Sequence, residues 1–391
     1  MKTRLIAIIL AFILCLSFFT GCGKTQDPIA EDPAASPEPE EPVDAAPAEP
    51  VVYTTFDYAS AYKSYAPDSV VMTVNDTEIT WKEYYGWLYS IMEQYEMYIG
   101  TEFAWTDLYS DTHTLEEYAK YYTETMCAQY AVVAQEAEIA GFELTEEEEL
   151  AIDEMLASDA ENYTGGDIDS FIEFLEATYM DEEYYHYIQA CAIYYQRLYE
   201  ENFGAEGDKL SDEDVEDFLS ANGFLYAKHI LFLTQDQSGA PLEDSAKAEK
   251  LALAEETLAQ LKSAKSQDEL LSKFDELMNS LSEDTGLAAY PDGYYFLPGE
   301  MVSEFEEGTK ALENYAFSDI VETSYGYHII LRLPIGPDDL YDSGVSFRTL
   351  AAQYAFDTMM GEKFQDAVIA YSDEFTDFNL ASIMNTIEVE G

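Results

Sequence analysis

The sequence predicts an α+β protein in which a small α/β unit, residues 225–335, is set into a mainly α-helical frame supplied by the segments on either side. Three observations carry this. The order between FLYAKHILFL (224–233) and ETSYGYHIILRLP (322–334) is strand, helices, strand. Through 81–203, tyrosines and methionines recur at three- and four-residue spacing, the pattern of helices packed on one another. Charge divides at the same boundaries: residues 225–335 hold 8 Lys+Arg against 20 Asp+Glu, a net of −12, which leaves −49 of the chain's −61 to the flanks.

At 391 residues and 48% hydrophobic content the chain can bury a core in each of two or three domains. Its formal charge of −61 excludes nucleic acid as a partner, because a surface of that sign repels polyanions. The first residues place Lys2 and Arg4 before an apolar run at 5–19, then Thr20-Gly21-Cys22. That is a signal peptide over 1–21, too short and wrongly flanked for a membrane span. Its end resembles the bacterial lipobox, with Phe19 where Leu is usual, and the resemblance implies a lipid on Cys22 and anchorage on the extracytoplasmic face of the cell membrane. Residues 22–52 form a Pro/Glu/Ala-rich tether. Within 23–50 lie seven of the thirteen prolines and no aromatic residue, so this stretch has nothing to bury and reads as an extended, self-repelling spacer. Cys15 leaves with the signal peptide, and Cys127 and Cys191 read as small core residues and not as a disulfide framework.

The frame begins at about 53. A strand at 70–74, a turn at Asn75-Asp76-Thr77 and a capping box of Thr80 with Glu83 lead into helices near 81–99, 115–140, 145–158, 167–177 and 180–202, and this N-terminal part runs to 210. His113 and His186 have no companions at ligand spacing, so both read as structural, and neither a metal nor a cofactor is expected. Residues 211–224 form an acidic connecting helix capped by Ser211. After the strand at 224–233 come a helical stretch at 245–281, a loop, a short helix around 301–313 and the strand holding His328. One helical segment at 344–371 dominates the C-terminal part of the frame, 336–391.

A lone histidine on an apolar strand reads first as a packed core residue. Here two of the four histidines, His229 in AKHILF and His328 in GYHIIL, occupy matching places in the bracketing strands. Together with Ser282-Glu283-Asp284, Pro298-Gly299-Glu300-Met301 through Phe305, and Val321-Glu322-Thr323-Ser324-Tyr325-Gly326-Tyr327, these pieces make 225–335 resemble a parvulin-type peptidyl-prolyl isomerase, with Asp284 17 residues before Met301 as in that family. The resemblance implies a small antiparallel sheet surrounded by helices. It implies catalytic roles for His229, Asp284, His328 and Thr323, and a proline-ring pocket of Met301 and Phe305, with Phe296 beside them. The family's Gly-Gly-Asp-Leu-Gly-like segment is replaced by YPDGYYF (290–296), which puts Gly293 where an apolar pocket residue is usual. The loop after His229 has no Arg or Lys cluster to anchor a phosphorylated substrate.

The wider layout resembles the PrsA-type foldase lipoproteins. This implies a membrane-anchored, cofactor-free foldase acting on unfolded exported chains with Xaa-Pro bonds, its frame serving as a chaperone domain through which two copies could pair. An alternative of another class is a weak or inactive parvulin fold acting only as a holdase. A solute-binding lipoprotein ranks last, since it needs two α/β lobes and the chain shows one.

Overall fold

The computed structural model describes residues 52–110, 112–341 and 344–390. The signal peptide, Cys22 and, apart from Val52, the tether lie outside the described residues. The chain divides into two compact units, one of residues up to 201 together with those from 356 onward, the other of residues 202–355.

In the first unit the N- and C-terminal segments share both sheets. Strand β1 (Val52–Phe56) pairs antiparallel with β9 (Thr386–Glu390), and β2 (Val70–Val74) lies between β3 (Thr77–Thr80) and β8 (Ile369–Tyr371). Asn75 takes the left-handed conformation, φ 52°, that closes the β2–β3 hairpin. Helix α1 (Tyr58–Tyr62) precedes β2; α2 (Trp81–Ile99) opens on the Thr80–Glu83 capping box, and α3 (Leu115–Ile139), α4 (Glu146–Thr164), α5 (Ile168–Ala177) and α6 (Glu182–Phe203) follow. The recurring aromatics fill the core: Trp81, Tyr84, Tyr85, Tyr130 and Tyr185 are fully buried. Cys127 and Cys191 are free and buried. His186 contacts Glu149 at 2.7 Å and His113 contacts Thr112 at 2.8 Å. The segment expected as one helix at 344–371 is α11 (Phe347–Asp366) followed by β8, because Ile369–Tyr371 pairs with Met72, Thr73 and Val74.

The second unit is built on the antiparallel sheet β5-β4-β7-β6, comprising β4 (Leu225–Leu233), β5 (Tyr294–Phe296), β6 (Val321–Glu322) and β7 (Gly326–Leu333). Both central strands read as continuous apolar runs because both sheet faces are covered. Ile230, Phe232, Ile329 and Leu331 pack against Ala254, Leu261, Phe274 and Met278 of α8 (Asp244–Lys262) and α9 (Gln267–Leu281), the two helices into which the stretch expected at 245–281 divides. Leu225, Ala227 and Ile330 face Phe296 and the Phe305 ring of α10 (Ser303–Lys310).

This unit is wider than the expected 225–335. Helix α7 (Asp212–Asn222) and the start of α11 join it through a cluster of Val215, Leu219, Phe347 and Ala351, with Phe224 and Tyr295 against it. Arg348 ties the cluster together: its guanidinium donates to the Leu210 carbonyl at 2.8 Å and to the Asp212 and Asp338 carboxylates at 2.6 and 2.8 Å. Both carboxylates are exposed, so the part-buried bond to the carbonyl carries most of the effect. Arg348→Ala is expected to lower the stability of this unit by about 1–2 kcal/mol, read as an earlier denaturant midpoint, with Arg348→Lys recovering little because one ammonium cannot serve three diverging acceptors.

Candidate active site

The pairing register brings the two strand histidines together. His229 lies opposite Ile330 and His328 opposite Leu231, so the histidines are diagonal neighbours on the sheet face that also carries Ile330. Their Nδ1 atoms are 2.9 Å apart and their rings lie within 13° of parallel. His229 is 9% exposed and His328 3%.

Asp284 arrives by a different route. Strand β5 pairs only with Leu225, Tyr226 and Ala227, and beyond them the free edge of β4 is taken by the segment after α9. Ser282 Oγ accepts from Leu231 N at 3.1 Å, and Glu283 N donates to Leu231 O at 2.8 Å. The next residue, Asp284, is thereby set against His229, with Oδ2 at 3.0 Å from Nε2. Its Oδ2 also accepts from Tyr294 Oη at 2.6 Å and its Oδ1 from Gly286 N at 3.0 Å, where Asp284 caps a 3₁₀ turn, Thr285–Ala288. Burial pushes the Asp284 carboxyl up, but the bonds from His229, Tyr294 and Gly286 outweigh it and hold it down to about 2. His328 is also lowered from a histidine's ordinary value: burial, then its neighbour His229, push it down to about 3 against the pull of Asp284.

With both imidazoles neutral, the ionised Asp284 fixes the protons. An ionised Asp284 can only accept, so in the neutral pair His229 carries its proton on Nε2 and has a bare Nδ1. His328 then donates from Nδ1, and its bare Nε2 accepts from Thr323 Oγ1 at 2.9 Å, while Thr323 Oγ1 accepts from Tyr325 N at 3.1 Å. Every polar atom in the chain from Tyr294 to Tyr325 has a partner. The array opens onto a cleft of about 880 Å³ lined by both histidines, Asp284, Met301, Val302, Phe305 and Tyr294. The Phe305 ring stands edge-on to both imidazoles, at 5.2 and 5.5 Å. Among the described residues no group of three or more His, Cys, Asp or Glu is placed to hold a metal.

A family model described as "Rotamase: PPIC-type PPIASE domain" matches residues 229–333, from one strand histidine to the end of the strand bearing the other. Residues 229–333 are a PPIC-type isomerase domain. The foldase protein PrsA of Geobacillus kaustophilus is 47% identical to this chain over 58 residues, 15% of this chain and 21% of the relative. PrsA of Oceanobacillus iheyensis is 31% identical over 140 residues, 35% of this chain and 39% of the relative. The chain thus matches about a fifth to two fifths of these relatives' length. A crystal structure of the peptidylprolyl isomerase PrsA from Bacillus cereus overlaps 72% of this chain and 99% of its own, at 17% identity and a TM-score of 0.31.

Within the PPIC-type domain, the structure brings His229, Asp284, His328 and Thr323 into one hydrogen-bonded array and puts Met301 and Phe305 on the cleft wall beside it. Phe296 is corrected. It is fully buried in the core behind the Phe305 ring, 5.9 Å centroid to centroid, and does not line the histidine cleft. Tyr294 shares its sheet face but lies at the open end of β5, where it reaches the cleft. Sequence reading passed over Tyr294, although the altered segment at 290–296 marked the place. Lys250 also lines the cleft, in an ion pair with Glu283.

Proposed function

We propose that this chain is a membrane-anchored extracytoplasmic foldase that catalyses cis/trans isomerisation of Xaa-Pro bonds in exported proteins and holds unfolded clients. One observation carries the enzymatic part: a fully satisfied array of Tyr294, Asp284, His229, His328 and Thr323 stands on the wall of a cleft lined by Met301, Val302 and Phe305. Prolyl isomerisation asks for no more. Its barrier of about 20 kcal/mol comes from breaking amide resonance, and a site lowers it by gripping the ring and favouring the twisted amide over the planar one. Met301 and Phe305 serve as the grip. Asp284 supplies fixed negative charge, and the histidines, held by Thr323, fix its place without exchanging protons with substrate.

The frame supports the client-holding part with exposed apolar side chains at Tyr98, Leu108, Tyr121 and Ile139. Among the described residues no helix is long and apolar enough to cross a membrane, and Cys22 is the proposed lipid attachment. Protease-coupled or magnetisation-transfer NMR assays on an Ala-Pro peptide should show isomerisation faster than the uncatalysed rate. Met301→Ala should raise KM several-fold with little change in kcat, since it removes grip on the ring in both states. A wild-type rate equal to the uncatalysed one ends the enzyme reading and leaves the holdase, which suppression of light scattering by an aggregating proline-free client would detect. Loss of labelled palmitate on Cys22→Ser tests the anchor.

A further inference from the structure

We propose that Tyr294 is a positioning residue of the isomerase site, its hydroxyl clamping Asp284 in the orientation the cleft uses; this rests on the isomerase reading above. The clamp is made by two glycines as much as by the tyrosine. Gly293 has φ +101°, and a Cβ there would lie 2.6 Å from the Ala227 carbonyl oxygen, so only glycine lets the chain enter β5 this close to β4. That close entry delivers the next side chain, Tyr294, to the cleft. Gly286 performs the complementary task. A Cβ on it would sit 2.2 Å from Tyr294 Oη, so the space through which the hydroxyl reaches Asp284 exists only because residue 286 has no side chain. The same Gly286 gives its N–H to Asp284 Oδ1.

Asp284 is therefore held at both oxygens, by Gly286 N–H on Oδ1 and by Tyr294 Oη on Oδ2, and it presents the second oxygen to His229 in a fixed direction. The Tyr294 ring adds an edge-on contact with His229 at 5.6 Å. Removing the hydroxyl leaves the ring and the cleft wall in place but frees the carboxylate to rotate about its side-chain bonds. A group so loosened loses transition-state stabilisation while binding in the ground state is kept.

The test uses the full chain with an Ala-Pro peptide. Tyr294→Phe is expected to lower kcat about tenfold, with KM within twofold and the circular dichroism spectrum unchanged. The histidine ¹⁵N spectrum, simple in a protein with four histidines, should show the His229 Nε2 resonance moved. Gly286→Ala, which pushes the hydroxyl away, should give the same kcat loss, and the double variant should lose no more than either single, since the phenyl ring has no Oη for the new methyl to meet. Unchanged kcat and ¹⁵N shifts in Tyr294→Phe, or additive losses in the double variant, would overturn the proposal. An inactive wild type would end the isomerase reading instead, and the ¹⁵N shifts of the two single variants would still decide whether the hydroxyl positions the Asp284–His229 pair.

Discussion

Asp284→Ala is expected to lower kcat for an Xaa-Pro peptide about a hundredfold, the largest activity loss of any single substitution in the cleft. As an amide twists, its carbonyl oxygen gives up the share of negative charge that resonance had put there. A fixed carboxylate near the bond therefore disfavours the planar state more than the twisted one, a preference that acts on kcat. Asp284 suits this role for three reasons. It is ionised at any ordinary pH, being held at about 2. Its side chain is only 15% exposed, so water screens it weakly. Three donors fix its orientation, so little reorganisation accompanies the reaction. A hundredfold loss asks about 2.7 kcal/mol of this one group, within what a preorganised charge supplies. Asp284→Asn separates charge from shape and should lose nearly as much as alanine. Full activity in the asparagine variant, with its circular dichroism unchanged, would sink the electrostatic account. Because Asp284 also caps the Thr285–Ala288 turn, each variant's melting curve has to accompany the kinetics.

What the sequence made legible follows from the range of each interaction. Thr80 and Glu83 are three residues apart, and their capping box stands where the pattern placed it. The strand histidines were legible because each sits in the same His-Ile setting, although their diagonal placement needs the β4–β7 register, which alternation alone cannot give. Pairings across the length of the chain were not legible. Nothing local in Ile369–Tyr371 reveals Met72, Thr73 and Val74 as partners, so helical periodicity was extended through it, and the β1–β9 ribbon was invisible for the same reason. Phe296 and Tyr294 show the limit within one strand: the period of two puts both on one face, and only the position of Phe305 decides which is covered and which lines the cleft.

Acidification from pH 7 to 4 is expected to weaken the sheet of the PPIC-type domain by about 3 kcal/mol through His328 alone. Its pKa is about 3 in the folded protein against 6.5 ordinarily, so below pH 6.5 the unfolded chain takes up a proton that the folded one refuses. Stability from this source is complete above pH 6.5 and is lost as pH falls toward 3. Asp284 also has a lowered pKa, but its stabilisation is lost between 3.8 and 2, so the two windows barely overlap. The groups facing His328 are His229 and Asp284, with the neutral Thr323 on its other nitrogen, so no third charge enters the balance between pH 6.5 and 4. Amide hydrogen exchange at Ile230 and Ile329, corrected for the pH dependence of intrinsic exchange, reads this unit directly, since the three tryptophans, Trp81, Trp87 and Trp105, all lie in the other. In His328→Asn the level of protection will differ, but its slope with pH between 6.5 and 4 should flatten. Equal slopes in wild type and variant would mean that His328 is not kept neutral by burial.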